Sequence, residues 1–259
     1  MISMAYGAGT NSTAVIAGMY ERGERPDLIT FANTGGEKPH TLAHITKVNN
    51  WLLSIGWPQI TEVIKVYRDG SQANLYDHCF ERNMLPSLAY GFKNCSQKFK
   101  IQPQEKYHNN HAGCKAAWAI GEKVIKIIGY DVDEQRRADN APSEDKKYIM
   151  RYPLIEWGWG RDDCIEAIKR VGLPLPGKSA CFFCPASKRN EIFLLQEHYP
   201  EQFQKALALE ANAELTSVKG LGRRFNWGEM TQQIDAFSNF PKDWDDEDLP
   251  CGCYDGGAA

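Results

Sequence analysis

Two cysteines flank two phenylalanines in Cys181-Phe182-Phe183-Cys184. Two intervening residues let both sulfurs reach one metal ion or cluster, above all ahead of a helix N-terminus. Pro185 follows, and proline suits the first turn of such a helix. Zinc and an iron–sulfur cluster both use four thiolates, so the spacing leaves the metal open. Buried thiols and a redox disulfide are the other readings. A thioredoxin-like site is disfavoured, because the pair lies far from any opening strand–helix unit. The second tight pair is Cys251-Gly252-Cys253, while Cys79, Cys95, Cys114 and Cys164 are scattered. Free cysteine is commonly a core residue.

A second chemical signal opens the chain. Gly7-Ala8-Gly9-Thr10-Asn11-Ser12 lies between an apolar run and a helical pattern. Small residues let the backbone approach a ligand, and amides at a helix start face an anion. Ser12 and Thr13 add hydroxyls. The loop has no Gly-Lys-[Ser/Thr] ending and no third glycine at dinucleotide spacing, so neither a Walker A loop nor a Rossmann fingerprint is present. A glycine turn with Ser12 capping a helix explains the same residues. Lys98, Lys100, Arg136 and Arg137 are candidate anion ligands, with Glu134 as a partner or a metal contact. A solvated basic face is the alternative. His40 and His44 stand i,i+4 without the zincin glutamate, and are expected to line the site or face solvent. The tryptophans Trp118, Trp157, Trp159 and Trp227 read as core anchors, and residues 219–224 as a flexible basic loop.

Those residues need a scaffold. The chain has 259 residues, 42% hydrophobic and 24% charged, enough for a sizeable core. Thirty basic residues against 33 acidic give a formal charge of -3, which excludes a strongly basic nucleic-acid binder but not a local basic patch. No apolar run is long enough to span a membrane. Residues 1–6 lack the basic and apolar regions of an export signal, so a cytoplasmic protein with reduced thiols is expected. Apolar runs at 2–6, 28–32, 62–66 and 124–130 read as strands, the last as a central one. Helical patterns cover 12–22, 39–55, 161–171 and 185–213, with a break at Pro200. Val15, Ile16, Met19 and Tyr20 should share the first helix's inner face. Alternating strands and helices predict an α/β fold with a parallel sheet. Its ligand should sit beyond the strands' carboxyl ends. The predicted division is an α/β domain at 1–152 and a helical, cysteine-containing region at 153–259.

Four segments in order carry a family resemblance. The 7–12 loop resembles the Ser-Gly-Gly-x-Asp-Ser motif of the PP-loop superfamily, with Asn11 at the Asp position and Gly7 at the first Ser. Asn33-Thr34-Gly35 resembles the Asp-Thr-Gly segment of the phosphoadenosine phosphosulfate (PAPS) reductase branch. Cys95-Ser96-Gln97-Lys98-Phe99-Lys100-Ile101-Gln102-Pro103 resembles its Cys-Cys-x-x-Arg-Lys-x-x-Pro segment, with Ser96 and Phe99 departing. Residues 128–137 resemble its arginine-bearing loop after a later strand. The resemblance spans residues 1–137 and resumes at the cysteine pair.

It implies a PP-loop (adenine nucleotide alpha hydrolase-like) fold. ATP or an adenylyl sulfate would be held by Gly7, Ala8, Gly9, Thr10, Asn11, Ser12, Asn33, Thr34 and Gly35, with magnesium as an accompanying ion. Ser12, Lys100, Arg136 and Arg137 would serve the reaction. Adenylyl-sulfate reductases hold a [4Fe–4S] cluster with two cysteine pairs. Here Cys95, Cys181 and Cys184 would contribute, with Cys251 or Cys253 as fourth ligand, and zinc as the alternative metal. Two reactions fit: reduction of adenylyl sulfate by a thiol electron donor, or adenylation of an acceptor by ATP followed by transfer from a sulfur donor. The acceptor is then a small molecule or a nucleic acid. Cys251 or Cys253 would be the nucleophile in the first reaction, although the family's following His is absent. A non-catalytic nucleotide or metal module of a larger nucleic-acid-associated complex is the rival reading.

Overall fold

The computed structural model describes residues 1–234. Five strands form one sheet: β1 (Ile2–Ala5), β2 (Leu28–Asn33), β3 (Ile60–Ile64), β4 (Val124–Ile127) and β5 (Tyr148–Arg151). All four pairings are parallel, and the order is β3-β2-β1-β4-β5. The chain is therefore α/β, as the alternation predicts. From β1 the sheet grows first through β2 to β3, then on the other side through β4 to β5. The switch between β1 and β4 is where such a sheet opens a crevice beyond its carboxyl ends.

The third strand lies two residues earlier than the expected 62–66, and it ends at Ile64 because Val66 leaves the sheet to pair with Gln72. β4 is an interior strand. β5 falls just after a polar stretch and was not anticipated. It is an edge strand of four residues with Ile149 exposed.

The remaining elements are helices: α1 (Thr10–Glu21), α2 (Pro39–Ser54), α3 (Leu75–Phe80), α4 (Asn94–Ser96), α5 (Gln102–Asn110), α6 (Ala112–Ala119), α7 (Gln135–Asp139), α8 (Pro153–Glu156), α9 (Arg161–Arg170), α10 (Arg189–His198), α11 (Pro200–Asn212) and α12 (Trp227–Ile234). A π-helical turn, Gln97–Ile101, joins α4 to α5. Helices α10 and α11 break at Pro200 as expected. Pro185 lies outside α10, which starts only at Arg189. The Cys184 amide bonds the Cys181 carbonyl and the Ser187 amide bonds the Cys184 carbonyl, so the chain turns twice before the helix forms. The cysteine pair therefore does not sit on that helix's N-terminus.

Helix α1 is buried on every side from Thr10 to Met19, whereas Tyr20 is exposed rather than part of an inner face. The reason is its position: α9 packs against it opposite the sheet. At Gly18 a Cβ would stand 2.3 Å from the Trp157 ring and 2.8 Å from Trp159. Overpacking of this kind costs about 1–3 kcal/mol. Gly18→Ala should lower the urea midpoint accordingly, and an unchanged midpoint would show that the tryptophans move aside freely.

Two apolar clusters support the site. One joins β1, β2, α1 and α2 with Cys164, Ile168 and Leu173. The other joins residues of 73–99 to Phe182, Phe183 and the helices α10–α12.

Candidate nucleotide and thiol site

The turn after β1 is held by its own polar atoms. The Ser12 hydroxyl donates to the Gly9 carbonyl at 3.1 Å and accepts from the Gly9 amide at 3.3 Å. Thr13 Oγ1 donates to the same carbonyl at 2.9 Å. Ala8 is fully buried with φ +58°, a left-handed conformation costly for a side-chain-bearing residue. Such strain concentrates at functional loops. Gly9 is the N-cap of α1, and a Cβ there would stand 2.9 Å from Ser179 Oγ. The first-turn amides of a helix lack intrahelical acceptors and carry the positive end of its dipole.

The loop after β4 closes on the same turn. A Cβ on Gly129 would stand 3.1 Å from the Ser12 amide nitrogen, so the backbones nearly touch. Asn11 Nδ2 donates to Asp131 Oδ2 and Glu134 Oε2, both at 3.0 Å. All three residues are buried. Burial raises the Asp131 pKa, against the lowering effect of the Asn11 hydrogen bond. Arg137 pairs with Glu134 and lies 4.3 Å from the centre of the Tyr130 ring. Of the two arginines, Arg137 is tied to the turn through Glu134, while Arg136 is exposed. Asn11 Oδ1 is buried and has no hydrogen-bond partner among the described residues.

The loop after β2 links this turn to the thiols. Asn33 is spent locally: its Oδ1 accepts from the Gly35 amide at 2.7 Å and its Nδ2 donates to Glu62 at 2.9 Å. Thr34, 1% exposed, donates its hydroxyl to Glu37 at 2.8 Å and lies 3.2 Å from Cys181 Sγ. The Phe182 amide donates to the Gly36 carbonyl, and Glu37 and Cys181 form an antiparallel bridge. The segment 179–184 thus touches the β1 turn through Ser179 and the β2 loop through Cys181.

Cys95, Cys181 and Cys184 line one small cavity with Thr34, Ser96 and Lys100. Leu88, Phe183 and Pro185 form its apolar wall. Burial, reinforced by Glu37, pushes the Cys181 thiol up to about 12, and Lys100 opposes that. The donor set suits a thiolate-held metal group, with an ammonium present to offset its charge. The space itself is about 30 Å³, room for a water-sized occupant, so a four-iron group requires the thiols to part. Among the described residues no group of three His, Cys, Asp or Glu is placed to hold a single metal ion. Cys251 and Cys253 lie outside the described residues.

The histidine pair does not bind a metal together. His44 is buried against Thr13 Oγ1 at 3.2 Å, and His40 lies between Tyr199 Oη and the Lys178 carbonyl, both at 3.2 Å. Residues 219–224 fold over the Glu210 carboxylate, which accepts the Leu221, Trp227 and Gly228 amides. Sequence reasoning missed Ser179, Glu37 and Asp131. Asp131 sits within the 128–137 segment, two residues after Gly129, which is the signal that marks it.

No protein-family profile matches the sequence, and no curated protein matches it. Among solved structures, the chain is similar to the U34-tRNA thiolase NcsA from Methanococcus maripaludis with its [4Fe-4S] cluster. The identity is 14%, the match covers 96% of this chain and 78% of that one, and the TM-score is 0.41. No helix of the described residues is long and apolar enough to cross a membrane.

Proposed function

We propose that the chain is a PP-loop-type enzyme of the PAPS reductase-like branch that binds ATP at the β1 turn and uses it for sulfur chemistry at the adjoining thiols. The observation that carries this reading is the contact of Thr34 with Cys181, together with that of Ser179 with Gly9. One short segment thereby joins a helix-start anion site to three thiols.

In this reading the amides of residues 9–12 hold the nucleotide's phosphates. Asn11 Oδ1 accepts a hydrogen bond from the ligand. Lys100 and Arg137 stabilise developing negative charge. An acceptor oxygen attacks the α-phosphorus and pyrophosphate leaves. A sulfur nucleophile then replaces that oxygen and AMP leaves. A [4Fe–4S] cluster on Cys95, Cys181 and Cys184, when bound, supplies a site that can take up the donor's sulfur.

Two assays test the reading. Anaerobically purified protein should release pyrophosphate from ATP in the presence of acceptor and sulfide, and release no sulfite from an adenylyl sulfate. It should also carry iron and acid-labile sulfide, lost in Cys181→Ser. Sulfite release without pyrophosphate would instead select the reductase reaction, and absence of nucleotide binding would leave a non-catalytic module.

A further inference from the structure

A second cavity, of about 380 Å³, opens where β3 meets the π-helical turn and α5. Lys65 of the chain after β3, Lys98 of the π-helical turn and Lys106 of α5 all line it. Among the described residues none of these three is in an ion pair. The one acidic residue lining it, Glu62, already accepts a hydrogen bond from Asn33. A locally cationic hollow in a chain of net charge -3 is not a by-product of overall composition.

Two of these lysines crowd each other, and Lys106 lines the same hollow. Lys65 stands 4.6 Å above the Phe99 ring, and its pKa is lowered by burial, then by Lys98 and Arg82. Crowded, unpaired ammonium groups are relieved by an anion. Lysine heads present point charges suited to phosphate oxygens, and Tyr107 and Gln102 complete the lining with a ring and an amide. The size falls within the range of small-ligand sites.

Its position gives the hollow a role. Lys98 lines this cavity while Ser96 and Lys100, two residues away on either side, line the thiol cavity. Phe99, between Lys98 and Lys100 in the chain, is 1% exposed. The turn that carries Lys98 and Lys100 is π-helical, a rare geometry that recurs at functional sites. We propose that this cavity is a second phosphate-binding site, distinct from the β1 turn, that anchors a phosphate of the acceptor substrate beside the thiols. The acceptor role rests on the function proposed above; the phosphate site stands without it.

The test uses the full chain with saturating ATP, so that the β1 turn is occupied. A short fluorescein-labelled oligouridylate is titrated by anisotropy, and inorganic phosphate and AMP are tested as competitors. Binding is expected, weakened about tenfold or more when Lys65, Lys98 and Lys106 are all changed to Gln, with the log–log salt slope reduced by about 2. Displacement of the dye by phosphate or AMP, or binding of those alone, supports the site and identifies a small phosphate ligand. Oligouridylate binding that resists them supports it with a nucleic-acid backbone as the source. Unchanged binding and salt slope in the triple variant, with its melting temperature preserved, would overturn the site. ATP affinity, measured on the same variant, should stay unchanged. If the wild type failed to bind ATP yet bound oligouridylate through these lysines, the function above would fall and this site would stand.

Discussion

Asn11→Asp should be among the most damaging single substitutions in the chain, although it restores the residue of the motif that this loop resembles. The Asn11 amide donates to two buried carboxylates at once, 3.0 Å from each. An aspartate would replace that donor with a third negative charge. Leaving buried charge uncompensated costs about 3–5 kcal/mol. In a chain of this size that corresponds to a melting point lower by roughly 10 °C. Asn11→Ala removes the donor without adding charge and should cost about 1–3 kcal/mol. The two variants separate repulsion from hydrogen bonding. The Asn11→Asp deficit should also depend on pH. One carboxyl of the crowded trio then has a raised folded-state pKa, so its proton is held more tightly in the folded chain than in the unfolded one. The variant is least impaired in acid and loses stability relative to wild type as pH rises toward 8. Equal melting points for wild type and Asn11→Asp at pH 8 would show that the carboxylates do not converge on this residue.

The same residue shows where sequence reasoning stops. The β1 turn was legible because its signals are local: glycines, a hydroxyl and a helical pattern within a few positions. That Asn11 is a donor between Asp131 and Glu134 depends on residues 120 and 123 positions away, which only the β1–β4 pairing brings close. The contact of Thr34 with Cys181, across 147 positions, is likewise a product of folding. Pro185 misled for a different reason. Its preference for a helix's first turn is real, but hydrogen bonds from Cys184 and Ser187 hold residues 181–187 in turns. The four-residue β5 follows a polar stretch and carries only a brief alternation, too short to stand out from a loop. What the sequence conveys best is chemistry set by nearest neighbours. What it conveys least is which distant partner occupies each polar group.

Acid should destabilise the protein from about pH 6.5 downward, ahead of most of its carboxylates. His40, His44 and His108 are each pushed down to about 4, first by burial and then by nearby Lys38, Lys47 and Lys126 respectively. All three are therefore neutral in the folded chain at pH 7 and resist protonation. The unfolded chain protonates them near the ordinary value of 6.5. Between these limits the unfolded state binds more protons, so stability is full above about pH 6.5 and is lost as pH falls toward 4. Each histidine contributes at most roughly 3 kcal/mol to that loss. The urea midpoint should fall steadily from pH 7 to pH 4.5. His78 is likewise pushed down to about 4 by burial, so His44→Gln, which keeps a polar side chain next to Thr13 and removes one titration of four, should flatten the slope by about a quarter. The consequence reaches the site. His44 meets Thr13, whose hydroxyl supports the Gly9 carbonyl, and His40 meets the Lys178 carbonyl beside Ser179, which stands against Gly9. ATP affinity at the β1 turn should weaken over the same pH range as the fold. A urea midpoint that stays flat from pH 7 to pH 5 would show that these imidazoles are hydrated and charged as freely as in the unfolded chain.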